Sequence, residues 1–179
     1  MLVQSIIFSK DECISIINTV RDNYRMTGDN GRYDEYDNFK YKFYTLDRII
    51  DTGWILDRIH SFFESQMNLK VYPRGKKINI HYYTEGDEFA RHIDTGFPVK
   101  EWNIGILLNQ DFEGGEYNLY DAQNNRITID KKIGNVCIYQ SQIPHEITPI
   151  TSGERWAAAI FIPKIRIFES NFIEPKNIL

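Results

Sequence analysis

The spacing of apolar residues changes character near Lys76, helical before it and alternating after it. Cys13, Ile16, Ile17, Val20 and Tyr24 recur at three- and four-residue steps and so fall on one helical stripe. Ser9 with Glu12 three residues on is a capping-box pattern, and Phe8 is placed as a hydrophobic staple, so a helix is predicted over Lys10–Tyr24. A second stripe, Trp54, Ile55, Ile59, Phe62 and Phe63, follows Asp51 and fades near Met67. From Lys76 onward short apolar or alternating runs are punctuated by turn residues at Glu85–Asp87, Glu113–Glu116, Ala122–Asn125 and Gly134–Asn135. The runs Ile78–Tyr83, Trp102–Asn109, Glu116–Tyr120, Arg126–Ile129, Asn135–Tyr139, Glu146–Pro149 and Arg155–Pro163 read as strands, with a further one near Lys40–Asp47. Many short strands after a helical segment imply an α+β fold, an antiparallel jelly-roll buttressed on one side by helices. Between the helices, Met26 to Tyr44 is rich in Asp, Asn, Gly and Tyr and long for a connector, which makes it a candidate lid. Its tyrosines, Tyr33 to Tyr44, read equally as packing aromatics and as a substrate clamp.

Composition narrows the class. The chain has 179 residues, 42% hydrophobic and 26% charged, with no internal repeat and no linker, and so reads as a single globular domain over residues 1–179. A net charge of −4 leaves no broad basic field for phosphate backbones, so a nucleic-acid partner is disfavoured. Cys13 and Cys137 lie far apart, each within an apolar pattern, which suits a reducing cytoplasm. No apolar run approaches 18 residues and the opening Met-Leu-Val-Gln-Ser lacks a signal-peptide pattern, so neither a membrane span nor export is expected. Oligomeric state is not legible.

The chemistry concentrates on a few residues. In extended backbone, positions i and i+2 share a face, so His92 and Asp94 can converge on one ion. On its own that pair is weak evidence, since four histidines among this many aspartates give roughly 0.3 chance matches to His-x-Asp. His145, at the start of a strand-like run, supplies a second imidazole, and two His with one carboxylate form the facial triad that leaves positions open on Fe(II); zinc also suits these ligands. Arg155 opens an apolar, small-residue strand, where a buried guanidinium requires an anion. Asn79, His81 and Tyr83 share one face of their strand and Ile78, Ile80 and Tyr82 the other; a one-residue slip would exchange Tyr83 for Tyr82. His81 reads as a supporting or structural residue, His60 as a partly exposed helix residue, and Gly114–Gly115 as a turn.

From Tyr83 to Ile162 the chain resembles the iron(II)- and 2-oxoglutarate-dependent dioxygenases, in their prolyl 4-hydroxylase-like branch. Five ordered pieces carry the likeness: Tyr83-x-x-Gly86-x-x-Phe89-x-x-His92-x-Asp94, the run ending at Asn109, Glu113-Gly114-Gly115-Glu116, Gly134 before a strand, and His145-x-x-x-Pro149-x-x-x-Gly153-x-Arg155. The opening Phe8-Ser9-Lys10-Asp11-Glu12 is similar too, less specifically. The resemblance implies a double-stranded β-helix, cupin-like core with N-terminal buttressing helices. It makes His92, Asp94 and His145 the Fe(II) ligands, Arg155 the partner of the distal carboxylate of 2-oxoglutarate, and Tyr83 a hydroxyl donor to that co-substrate. O2 is the oxidant, with ascorbate as a supporting reductant. The presence of Asp94 argues for hydroxylation, because related halogenases lack this carboxylate. The implied substrate is a peptidyl or protein side chain, proline favoured; a free amino acid or other small metabolite is the enzyme alternative. A non-catalytic cupin-like binding module is the reading from a different class.

Overall fold

A computed structural model describes residues 2–27, 32–36, 39–71, 77–94, 100–164 and 167–169, with backbone alone for 24–27, 32–36, 39–41, 43, 47 and 167–169. In chain order the elements are β1 (Leu2–Ile6), α1 (Lys10–Thr27), β2 (Arg32–Tyr36), β3 (Phe39–Thr45), α2 (Gly53–Met67), β4 (Leu69–Val71), β5 (Asn79–Tyr83) and β6 (Glu88–His92). There follow β7 (Lys100–Leu107), β8 (Phe112–Gly114), β9 (Tyr117–Tyr120), β10 (Arg126–Thr128), β11 (Asn135–Gln140), β12 (His145–Ile147), β13 (Ile150–Gly153), β14 (Arg155–Pro163) and β15 (Ile167–Glu169).

The capping box forms as predicted: Glu12 Oε2 accepts from the Ser9 N–H at 2.8 Å and Ser9 Oγ accepts from the Glu12 N–H at 3.2 Å. Phe8 is buried and joins Cys13 in the core, closing the staple. The helix runs to Thr27 rather than stopping at Tyr24. In α2 the buried face is Ile55, Leu56, Ile59, His60, Phe63 and Met67, which corrects two expectations. Trp54 is 42% exposed, and His60, expected partly exposed, is buried at 1%.

The principal sheet has eleven strands in the order β1-β11-β7-β14-β5-β3-β6-β12-β9-β10, with β2 added on β3. Because β3 bonds to both β5 and β6, the ladder rolls over, and β12 and β9 come to face β11 across an interior. Ring centroids of His145 and Tyr139 lie 5.1 Å apart there, and those of Tyr117 and Tyr139 6.0 Å. This is a double-stranded β-helix with two helices against one outer face.

Period-two alternation explains both faces of the major layer. Ile80, Ile104, Ile138, Ala158 and Ile160 turn toward Ile16, Ile17, Ile55 and Ile59 of the helices and make one apolar slab with them. Each fully buried Ile contributes roughly 1.5–3 kcal/mol. The intervening residues Asn79, His81, Tyr83, Asn103, Gly105, Cys137, Tyr139, Arg155, Ala157 and Ala159 line a cavity. Both cysteines are free and buried, and burial pushes the Cys13 thiol up to about 11. Among the described residues no helix is long and apolar enough to cross a membrane.

The strand expected near Lys40–Asp47 is β3. The candidate lid falls partly outside the described residues; its described backbone is the end of α1 and the hairpin β2–β3, hydrogen-bonded into the sheet beside β5 and β6. Strands β1, β2, β4, β6, β8, β13 and β15 escaped the sequence reading, being short or, like Glu-Phe-Ala-Arg-His in β6, without apolar alternation.

Gly134 ties the layers together. Its carbonyl accepts from the N–H of Ile7 at 3.2 Å, its N–H donates to Leu107 O at 2.8 Å, and its φ is +78°. A Cβ there would meet Phe8 O at 2.0 Å. Gly134→Ala is therefore expected to destabilise the protein by at least about 2 kcal/mol, since both the left-handed backbone and the backbone contact oppose it. Urea unfolding of the two proteins measures this; an unchanged midpoint would mean that the turn relaxes freely.

Candidate metal and co-substrate site

Strand pairing brings the histidines together, because β12 lies antiparallel to β6 with His145 directly opposite His92. Their ring centroids are 4.2 Å apart. His92 Nδ1 lies 2.8 Å from Ala90 O and His145 Nδ1 2.8 Å from Ile143 O. A carbonyl only accepts, so in this geometry each Nδ1 carries a proton, which leaves Nε2 as the ring atom that can take a metal. Asp94, two residues past His92, is anchored by its own N–H to Ser141 O at 3.0 Å. Its Oδ2 stands 3.4 Å from His145 Nε2. One ligand atom from each of His92, Asp94 and His145 lies within 4.8 Å of the others. Two imidazoles and a carboxylate are a donor set that fits a divalent iron ion.

Asp94 is held from behind by residues that sequence reading missed. Lys100 Nζ donates to Oδ1 at 2.8 Å, and Asn103 Nδ2 donates to Oδ2. Asn103 is fixed in turn by Ser141 Oγ, which donates to its Oδ1 at 2.7 Å, and by Tyr139 OH, 3.1 Å from its Nδ2; Tyr139 also shares a hydrogen bond with Tyr117. Burial acts to raise the Asp94 pKa, yet bonds from His145 and Lys100 hold the carboxyl well below its ordinary range. Burial, together with the neighbouring His145, lowers His92, which favours the neutral ligand form. The available signal for Asn103 was an amide in the otherwise apolar alternation of β7, but nothing in sequence spacing says that it meets Asp94.

Further along the same cavity, of about 830 Å³, Arg155 pairs in register with Tyr83. Arg155 is 4% exposed; its Nε donates to Gly115 O at 3.2 Å and its guanidinium carbon lies 5.3 Å from the Tyr83 ring centre. Among the described residues no carboxylate pairs with it, so a buried cation faces a cavity with its terminal nitrogens available. Gly115 makes this possible: at φ +62° it has no Cβ, which would sit 2.4 Å from Ile150 Cδ1 and 3.1 Å from Arg155 Cδ. The register question resolves for Tyr83, which lines the cavity, whereas Tyr82 turns to the helix side and donates to Glu154 Oε1 at 2.9 Å.

His81 lies on the cavity floor between these two ends, where burial, reinforced by Arg155, lowers its pKa from 6.5 to about 3. The unfolded chain takes a proton at its ordinary value that the folded His81 refuses, so stability is full above about pH 6.5 and falls as pH drops toward 3. For iron-free protein this group alone implies a loss of about 2 kcal/mol between pH 6.5 and 5. His81→Asn should flatten that part of the pH–stability curve; an unchanged slope in urea titrations would assign the loss to other groups.

Residues 78–163 match the 2OG-Fe(II) oxygenase superfamily model. A PKHD-type hydroxylase of Idiomarina loihiensis is 29% identical over 113 residues, covering 59% of this chain and 50% of that protein, so the chain spans about half the length of the relatives it matches. A Pseudomonas putida prolyl-4-hydroxylase superposes with TM-score 0.71 at 14% identity, covering 91% of this chain and 92% of that one. A Trichoplax adhaerens prolyl hydroxylase, solved with a hypoxia inducible factor oxygen degradation domain peptide fragment, has TM-score 0.67 at 17% identity, with 94% and 83% coverage. With an imidazole–carboxylate–imidazole cluster and a buried arginine on one rolled sheet, the chain resembles the 2OG-Fe(II) oxygenase superfamily over residues 78–163.

Proposed function

We propose that the protein is an Fe(II)- and 2-oxoglutarate-dependent hydroxylase in which His92, Asp94 and His145 hold the metal and Arg155 with Tyr83 receives the distal carboxylate of 2-oxoglutarate. The observation that carries this reading is the placement of a three-ligand cluster and an unpaired guanidinium in one cavity. When bound, iron with 2-oxoglutarate and O2 supplies the oxidising chemistry, by which 2-oxoglutarate becomes succinate and CO2 and one oxygen atom enters a substrate C–H bond.

The chain's own residues do the positioning. Ala90 and Ile143 carbonyls aim the two imidazoles, and Lys100 with Asn103 fixes the carboxylate between them. Three ligands on one face leave positions for a chelating co-substrate and O2. Gly115 O orients the Arg155 fork toward a planar carboxylate, for which a bidentate pair is the matching geometry. Apolar walls such as Phe89, Leu107 and Ile147 limit water around the reacting centre. Ascorbate belongs to this proposal as a supporting reductant, and the free buried thiols support a reducing cytoplasm as the setting.

For the primary substrate, the similarity to prolyl hydroxylases supports a peptidyl or protein side chain with proline favoured. A free amino acid or small metabolite is the second reading, and the chemistry of the cavity mouth favours it. A cupin-like module without activity would account for the strands but leaves the triad and Arg155 without a use.

Two outcomes are expected. Purified protein should bind one Fe(II) per chain, develop a visible absorption band when 2-oxoglutarate is added without O2, and release succinate when O2 is admitted. His145→Ala should abolish band and succinate together; a folded His145→Ala protein that still gave both would remove the ligand assignment. Arg155→Ala should weaken 2-oxoglutarate binding by about 2–5 kcal/mol, as for loss of one member of a buried charge pair, with partial recovery in Arg155→Lys and iron still retained. Calorimetric titration with the metal and then the co-substrate separates the two effects, and unaltered 2-oxoglutarate affinity in Arg155→Ala would mean that another group anchors the acid.

A further inference from the structure

One polar side chain on the cavity floor has no use in the scheme above. Asn79 Oδ1 is buried, and the Asn79 amide is hydrogen-bonded to no group among the described residues. A buried carbonyl oxygen without a partner costs about 1–3 kcal/mol, so its retention calls for a ligand that completes it. The floor beside it is low: Asn79 stands opposite Ala159, and Ala159 opposite Gly105, so across three strands the side chains are an amide, a methyl group and a hydrogen. Asn79 and Ala159 line the cavity, whereas the space over Gly105 is taken by Cys137 Sγ and the Tyr117 ring, which a Cβ there would meet at 3.0 and 3.1 Å.

The position argues against the co-substrate. Asn79 is four residues from Tyr83 along β5, about 13 Å at roughly 3.3 Å per residue, beyond the span of a five-carbon diacid anchored at Arg155. It also lies on the Lys77 side of the cavity. Lys77 lines the opening and pairs with no acidic group among the described residues. Lys100 lines it too, spending one of its three donors on Asp94 while its ammonium sits 3.8 Å from the Phe161 ring centre. Of the other acidic residues on the cavity, Glu116 bonds to Thr148 and Asp130 to Lys132. Glu116 also has Lys131 of the same lining as its nearby cation, so the lysines left for a ligand are Lys77 and Lys100, against Asp94, the group assigned to the metal.

We propose that Asn79 binds the primary substrate, its carbonyl accepting an N–H while Lys77 and Lys100 receive a nearby carboxylate, so that the substrate presents an α-carboxylate beside an N–H. A free amino acid, proline included, and a C-terminal residue other than proline share that chemistry; an internal peptide residue lacks the carboxylate and a C-terminal proline lacks the N–H. The inference rests on the hydroxylase reading and specifies its substrate class.

The probes are L-proline and the other protein amino acids, each beside its N-acetyl amide, and tripeptides carrying the residue at the C-terminus or in the centre. Binding is read by ligand-observed NMR without iron and by perturbation of the Fe(II)–2-oxoglutarate absorption band without O2; turnover is read as succinate and a mass gain of one oxygen atom. A free acid or C-terminal peptide should bind at least about tenfold more tightly than its capped or central counterpart, and which of the two wins identifies the source. Asn79→Ala should weaken that binding at least about tenfold while 2-oxoglutarate affinity stays within about twofold. Lys77→Ala should weaken binding of the acid but not of its amide. Asn79→Leu should melt no lower than wild type, because it removes a buried amide that the empty protein leaves without a partner. The inference is overturned if capped or central residues bind as well as the acids, if no acid binds, if Asn79→Ala weakens 2-oxoglutarate instead, or if Asn79→Leu melts well below wild type. A wild-type protein that binds an acid by NMR yet gives no iron-dependent band or succinate would sink the hydroxylase reading and leave the recognition chemistry standing.

Discussion

The two-residue period of the strands obliges the major layer to serve two environments at once. In β7 the sequence Trp102, Asn103, Ile104, Gly105, Ile106, Leu107 sends alternate side chains to the helix slab and to the cavity, and β5, β11 and β14 do the same in register. A one-residue slip in any of them would put isoleucines into the cavity and an arginine, an asparagine or a tyrosine against α1 and α2. Register is thus defended by the whole apolar slab, and the site inherits its accuracy from a packing constraint that has nothing to do with chemistry.

A polar interior is expensive unless its groups complete one another, and this cavity shows how that cost is met. Asp94 is reached by Lys100 and Asn103; Asn103 is reached by Ser141 and Tyr139; Tyr139 is joined to Tyr117. The histidines fasten to backbone carbonyls of their own strands. Rigid support of this kind keeps three ligand atoms together before any ion arrives, which favours tight and selective metal binding. Arg155 and Asn79 are the exceptions, polar groups facing the cavity with capacity left over, and both lie where a small acid is expected to bind.

Small residues shape the space between these groups. Ala157 and Ala159 keep the cavity floor low, Gly105 makes room for the Tyr117 ring and the Cys137 thiol, and Gly115 lets the Arg155 stem pass close to the backbone. Their counterparts on the outer face, Ile104, Ile106, Ala158 and Ile160, pack solidly beneath the helices. The contrast between thin inner and bulky outer side chains is what makes one layer both a wall and a core.

Much of this was legible in the chain itself. The capping box of Ser9 and Glu12, the stripe from Cys13 to Val20, the strands β3, β5, β7, β9, β10, β11, β12 and β14 and the shared face of Asn79, His81 and Tyr83 all follow from local spacing, because helix and strand periods are properties of adjacent residues. The i, i+2 spacing of His92 and Asp94 put those two on one face, while grouping them with His145 and Arg155 rested on the family resemblance; the fold brings His92, Asp94 and His145 together. Burial of His60, exposure of Trp54 and strand β6 were misread, because helix rotation and strand pairing are decided by neighbours distant in sequence. The same reason hid Asn103, Ser141 and Tyr139 behind Asp94 and left Asn79 undistinguished from its strand neighbours. Ser141 meets Asn103 across 38 positions of sequence, and only the rolled sheet brings such groups within hydrogen-bonding distance.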